Sequence, residues 1–446
     1  MPSRTAAASD PLLDQLAEAR ERTLKLVAHL DDDALERVHS SLMSPLVWDL
    51  GHIAAFEDLW LVHNYGGLPL LRPDLAEIYD AFETPRSQRG AIPFLRHAEA
   101  VDYLAAVRER TLEVVARDGL SDRLTHELVL RHEQQHTETM LQTMELAHLP
   151  APPALGGDRD SAALASAATR APGDGGLELV EVPAGPATIG LDAADGFSYD
   201  NERPRHRVEL PAFRIGRTPI TNATFLTFVE GGGYERREWW SREAWAWKEE
   251  YDIERPAGWT ADGREWRMGR LLPLHPDRPV AHVSWFEADA FARAHGVRLP
   301  TEEEWEKAAT WDQESGSARR WPWDRTASNG DDHGPAAPRH GAAANVGWRS
   351  FGTEPVGTHL AGATPSGVLG LIGDLWEWTA SELRGYPGFV AHPYREYSEV
   401  FFGPDHRVLR GGSWATQDAI ATPTFRNWDY PQRRQIFSGF RIAKDV

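Results

Sequence analysis

The chain changes texture once, and that break limits what it can fold into. Residues 1–150 carry apolar side chains at helical spacing. From Leu177 onward, short β-like runs such as LELVEVPAG, RVELPAFRIG and RVLRGGSW alternate with Gly/Pro turns and long loops. Residues 151–176, between them, are Ala-, Pro-, Gly- and Asp-rich without a period, which predicts a linker. One core does not serve both textures, and 446 residues are ample for two. The expectation is a multidomain chain, α followed by α+β.

In the first part, Ser9 and Asp10 can cap a helix whose apolar face holds Leu12, Leu13, Leu16, Leu24, Val27 and Leu30. Ser44-Pro45 marks a second start, with Ser as cap and Pro in the first turn, and that helix stops at Gly66-Gly67. A third is predicted over residues 98–115, after the loop ETPRSQRGAIP, and a fourth runs from Ser121 towards Pro150. Four helices with one long connection and no strand pattern predict a four-helix bundle over residues 1–150. In residues 177–446, helices are expected at 222–229, 285–295 and 301–310 within a loop-rich α+β domain.

The fourth helix contains LRHEQQHTETM, a H-E-x-x-H string. His132 and His136 lie four apart, so their rings share one helical face and can hold one ion. Leu124, Leu128, Gln135 and Thr139 on that face point it inward. A zinc peptidase would read Glu133 as its base and need a third ligand downstream. TETMLQTMEL supplies none, and the chain then enters the linker. A bundle instead draws ligands from facing helices. His52, between Trp48 and Phe56 on the second helix, is the best third ligand, since His63 sits at the terminating turn. Three imidazoles suit Zn, Cu, Fe or Ni and leave coordination positions open.

A formal net charge of -20 disfavours nucleic acid and anionic membranes as partners. No apolar run reaches the roughly 20 residues of a membrane span, and MPSRTAAASD has no signal-peptide core, so a cytoplasmic location is expected. The absence of cysteine removes disulfides, thiolate metal sites and cysteine nucleophiles.

Taken together, DLGHIAAFEDLW, LRHEQQHTE, NERPRHRVELPAFRIGRTPITNATF, RLPTEEEWEKAA, GLIGDLWEWTAS, RVLRGGSW and FSGFRIA resemble the nonheme iron sulfoxide synthases of ergothioneine biosynthesis, the hercynine oxygenases. The resemblance implies a DinB-like bundle followed by a formylglycine-generating-enzyme-type domain of C-type-lectin-like fold, which completes the active site. It implies Fe(II) on His52, His132 and His136, and leaves a place for a structural Ca2+ in the second domain. The implied reaction joins a thiol to C2 of hercynine, with O2 oxidising the sulfur to a sulfoxide. The thiol is γ-glutamylcysteine in one branch and cysteine in another. Arg86 and Arg89 in TPRSQRG match the arginine pair that grips the dipeptide's carboxylates. Gln135 matches a residue near hercynine. In FRNWDYPQRRQIFSG, Asn427, Trp428 and Asp429 match a substrate-binding Asn-Trp-Asp of the family, in which Trp428 offers an aromatic wall to hercynine and Asp429 meets the γ-glutamyl amino group. A tyrosine proton donor is implied in GYPGFVAHPYREYSEVFFG, with Tyr394 and Tyr397 fitting better than Tyr386. Formylglycine generation itself is excluded, because the copper-binding cysteines of those enzymes are missing. RLPTEEEWE is expected to be scaffold, with Arg298 bonding Glu302 and Trp305 packing. A non-catalytic binding module with a structural metal is the other class of reading.

Overall fold

Asp10 starts the first helix, α1 (Pro11–Val27): its carboxylate accepts the Leu12 N–H at 3.0 Å, and Pro11 occupies the first turn. The computed structural model describes residues 10–155, 175–324 and 340–446. These fall into two compact units that divide between Gly157 and Asp158. Ser9 and most of the expected linker, residues 156–174, lie outside the described residues.

In the first unit α1 is followed by α2 (Asp32–Glu36), α3 (Leu46–Glu57), α4 (His97–Asp118) and α5 (Arg123–Leu146). α3 continues as a π-helical stretch, Asp58–Tyr65, and ends at Gly66. It packs on both α4 and α5, and α1 packs on α5. α3 is apolar around most of its circumference, and Leu46, Val47, Trp48, Leu50, Ile53 and Ala54 are all buried, which makes it the central rod. One expectation fails here. Ser44 does not cap α3, which starts after Pro45 with no side-chain cap. The Ser44 hydroxyl instead accepts Arg89 Nη1 at 2.9 Å, because the loop after α3 brings a guanidinium to it. Leu124, placed inward by periodicity, is 38% exposed, since the first turn of α5 projects past the core.

Four charges, three of them buried and Arg108 nearly so, tie the long helices together. Arg20 of α1 donates to Glu133 of α5 at 2.9 Å and to Glu57 of α3 at 2.8 Å. Arg108 of α4 donates to Glu57 at 2.7 Å and approaches Glu133 at 3.4 Å. Burial pushes the Glu57 carboxyl up, but the Arg108 and Arg20 guanidiniums outweigh this and hold it at about 2, below the free value of 4.5. A folded pKa below the unfolded one gives stability that is present above the unfolded value and lost as pH falls through the folded one. Urea unfolding followed by helical circular dichroism is therefore expected to lose up to about 3 kcal/mol through this group between about pH 5 and pH 2. Glu57→Gln should flatten that part of the profile.

The second unit is built on small sheets joined by long loops. A three-stranded antiparallel sheet orders Leu179–Val182, Phe213–Gly216 and Ala443–Asp445. A four-stranded sheet orders Asn427–Asp429, Arg407–Arg410, Trp376–Glu382 and Ser438–Gly439, the last pair parallel. Helices Asn222–Glu230, Trp285–Ala294 and Glu302–Thr310 lie where periodicity put them. Arg242–Glu250 is an additional helix with only Ala244 and Lys248 buried, too little of an apolar face to be read from sequence. Trp305 is fully buried and donates to Glu377 at 2.8 Å. Arg298 does not bond Glu302, as expected from sequence. It forks onto Glu304 with two bonds of 2.7 Å, because Glu304 turns back over the helix N-terminus to cap Thr301. Glu302 takes Arg426, at 2.7 and 2.8 Å, and Glu306 takes Arg410, so Glu302, Glu304 and Glu306 each hold a different arginine.

Candidate metal centre

α3 and α5 bring His52, His132 and His136 together. Their ring centroids lie 4.5–4.8 Å apart, and one ligand nitrogen from each falls within 4.8 Å of the others. Among the described residues this is the group of three or more His, Asp or Glu side chains with the spacing to share an ion. His52 Nε2 and His132 Nε2 face each other at 3.1 Å.

The ring orientations follow from what holds the far nitrogens. His52 Nδ1 donates to the Tyr79 carbonyl at 2.6 Å, and His136 Nδ1 to the Asp49 carboxylate at 2.9 Å. An imidazole that donates from Nδ1 presents its lone pair at Nε2. His132 has its ring stacked flat on Phe56, 3.6 Å between centroids and 8° between planes. Burial first, and then the neighbouring His136, hold His52 well below the usual histidine range. Burial, with His136 and His52 beside it, does the same for His132. The buried rings of His52 and His132 are thus kept uncharged, and a divalent transition metal satisfies such converging ring nitrogens together.

Gly51 makes the approach possible: a Cβ there would lie 2.2 Å from the Tyr79 ring, whose hydroxyl is pinned by the Leu95 N–H at 2.9 Å. Glu133 takes no part in the centre. It is buried between Arg20, Arg108 and Thr23, pointing into the bundle, so the base of a zinc peptidase is missing from the metal face.

Of the other expected residues in this unit, Arg86 is exposed on the 3-10 turn Arg86–Gln88. Arg89 is buried, with its guanidinium 3.8 Å above the Trp48 ring, and Trp48 in turn stacks on His52 at 4.9 Å. Three of its N–H groups reach Thr84 O, Ser44 Oγ and Ala81 O. Burial lowers its pKa to about 10. Gln135 is half-buried on α5, next to His136 in sequence.

The second unit gathers the remaining candidates. Asn427, Trp428 and Asp429 form an edge strand against Arg407–Leu409. Tyr397 meets Trp428 edge-on at 5.9 Å and Tyr394 at 6.3 Å, and Phe401 closes on Trp428 at 5.5 Å. Asp429 accepts Gln435 Nε2 at 3.3 Å. Tyr386, the third tyrosine of that segment, is buried beneath Arg426, 4.2 Å from its ring.

Asp49 and the Tyr79 carbonyl went unread in the sequence. Asp49 left a signal, as the single acid in the apolar run Leu46 to Phe56. Its carboxylate aligns the His136 ring, and such partners typically carry about 10–100-fold in metal affinity. Asp49→Ala is expected to weaken Co(II) binding by that factor in a visible-absorption titration of the apoprotein, without loss of helical signal.

Residues 15–140 match the DinB superfamily, and residues 165–446 match the sulfatase-modifying factor enzyme 1-like domain. The chain is 45% identical to a hercynine oxygenase of Mycolicibacterium smegmatis, over 98% of this chain and 100% of that protein. Identity is also 45% to a hercynine oxygenase of Mycobacterium tuberculosis, over 98% of this chain and 99% of that one. Ergothioneine biosynthesis protein 1 of Neurospora crassa is 24% identical, matching 100% of this chain and 59% of its own length. Among the described residues, no helix is long and apolar enough to cross a membrane. With both units matched, and relatives covered almost end to end at that identity, the chain belongs to the hercynine oxygenase family and is an oxygenase.

Proposed function

We propose that this chain uses Fe(II) and O2 to join the sulfur of γ-glutamylcysteine to C2 of hercynine, yielding the sulfoxide on the route to ergothioneine. The observation that carries this reading is the convergence of three histidine nitrogens within 4.8 Å, in a chain 45% identical to hercynine oxygenases over nearly its whole length. In the balanced reaction the C2–H and S–H bonds break and a C–S bond forms. The sulfur takes one oxygen atom of O2, and the other leaves as water with the two hydrogens.

Fe(II), when bound, supplies thiolate coordination and the reduction of O2. The protein's share is to bind, orient and deliver a proton. His52, His132 and His136 add no negative charge, which favours an anionic thiolate beside them. Arg86 and Arg89 take the dipeptide's carboxylates, and Asp429 its amino group. Gln135 and Asn427 orient hercynine, and the Trp428 face accepts its quaternary ammonium. Tyr394 and Tyr397 supply the proton that forming water requires. The exposure of Arg86, and the clustering of Tyr394, Tyr397 and Trp428, support these roles.

Mass spectrometry and oxygen uptake of an aerobic reaction with Fe(II), hercynine and equal γ-glutamylcysteine and cysteine test the reading. The dipeptide sulfoxide is the expected main product. A cysteine adduct as main product would replace the dipeptide by cysteine, and no uptake with either thiol would mark a binding protein. Arg86→Ala should raise KM for the dipeptide by about tenfold or more, in line with loss of a charged bond, and should raise it less for cysteine.

A further inference from the structure

The segment bearing Tyr394 and Tyr397 has little structure of its own, two 3-10 turns at Arg395–Tyr397 and Glu399–Phe401. Ser398, between the turns, is fully buried and donates its hydroxyl to Asp200 Oδ1 at 2.7 Å. The second oxygen of Asp200 accepts the His392 N–H at 3.4 Å. One acid therefore holds the segment on both sides of its tyrosines. The preceding residue, Tyr199, stacks flat on Tyr397, with 4.4 Å between centroids and 5° between planes.

The 3-10 turn Asp200–Glu202 is itself anchored. The Tyr199 N–H donates to Glu202 Oε1 at 2.8 Å, and Glu202 Oε2 accepts the Thr424 hydroxyl at 2.7 Å. The Asn201 carbonyl accepts Arg426 Nη1 at 2.7 Å. Thr424 and Arg426 lead straight into the strand Asn427–Asp429, so the turn ties the tyrosine segment to the strand of Trp428. A buried carboxylate needs partners to be tolerated. Burial raises the Asp200 pKa, and the Ser398 hydroxyl, the His392 amide and the Asn201 amide pull it back, so two of these bonds go to this segment.

We propose that Tyr199 and Asp200 form a latch that positions Tyr394 and Tyr397 for the reaction. Neither latch residue touches substrate in this account; both act through the tyrosines. The proposal rests on the reading that those tyrosines serve sulfoxide formation. A hydroxyl displaced by about an ångström can lower a rate by up to about 100-fold.

The test compares the full-length Fe(II)-loaded wild type with Asp200→Ala, Ser398→Ala and the double variant. In hydrogen-exchange mass spectrometry, peptides spanning residues 391–403 should exchange about tenfold faster or more in each variant, while those of α5 stay unchanged. The kcat for sulfoxide should fall about tenfold or more in Asp200→Ala and less in Ser398→Ala. The double variant should lose no more than Asp200→Ala, since Ser398 acts through its bond to Asp200, and that bond is already gone, and Fe(II) affinity should hold. Ser398→Ala carries the test should Asp200→Ala not fold. Unchanged exchange at 391–403 would overturn the latch. Additive losses, or a parallel fall in Fe(II) affinity, would replace it by general destabilisation. Faster exchange with unchanged kcat would overturn the positioning role, whereas failure of the underlying reading shows separately, as a wild type that forms no sulfoxide.

Discussion

His132→Ala is expected to abolish both metal binding and turnover. His132 faces His52 directly, Nε2 to Nε2 at 3.1 Å, and its ring is held flat by Phe56. Without it two imidazoles remain, His52 from α3 and His136 from α5. The loss in Fe(II) affinity should exceed the roughly 10–100-fold carried by outer partners such as Asp49. Anaerobic Fe(II) titration and oxygen uptake would both read it. Glu133 stays in place in this variant, paired with Arg20, so the bundle should keep its helical signal. Near-normal Fe(II) binding by His132→Ala would remove His132 from the site.

The second large effect is on stability. Arg20→Ala should destabilise the first unit by about 3–5 kcal/mol, the range for breaking a buried charge pair. Arg20 is buried and serves two acids at once, Glu57 and Glu133, while a further bond, at 2.8 Å, reaches the Leu104 carbonyl. Its removal leaves two buried carboxylates sharing Arg108 as their one guanidinium. Urea unfolding at neutral pH measures the loss. A change under about 1 kcal/mol would mean water or Arg108 compensates fully.

Much of the helical unit was legible because burial there follows a 3.6-residue period. Leu12, Leu16 and Leu130 pack together in this way. The histidine pair was legible for the same reason, since i,i+4 spacing fixes a shared face whatever the partner. His52 followed because the bundle must supply its third nitrogen from another helix. What the spacing did not carry was tertiary. Asp49 finds His136 only because α3 crosses α5, and Tyr79 contributes a main-chain carbonyl that no side chain advertises. Ser44 looked like a cap, but a folded loop gave it Arg89 instead.

The second unit shows the same division more sharply. Some of its strand segments, those in LELVEVPAG, RVELPAFRIG and RVLRGGSW, were visible as β-like runs between turns, but their partners were not. Ser438–Gly439 lies parallel beside Trp376–Glu382, more than fifty residues away in sequence. Arg298 met Glu304 rather than Glu302 because a capping turn re-aimed the acid. The stacking of Tyr199 on Tyr397 links segments nearly two hundred positions apart, beyond any local pattern.

The most direct test of the account is iron K-edge X-ray absorption on the anaerobic Fe(II)-loaded protein, with His52→Ala as comparison. Three imidazole nitrogens completed by water oxygens are predicted for the wild type, and two imidazoles or no bound iron for the variant. Fewer than three imidazoles in the wild type, or a first shell unchanged in His52→Ala, would contradict a centre built from His52, His132 and His136.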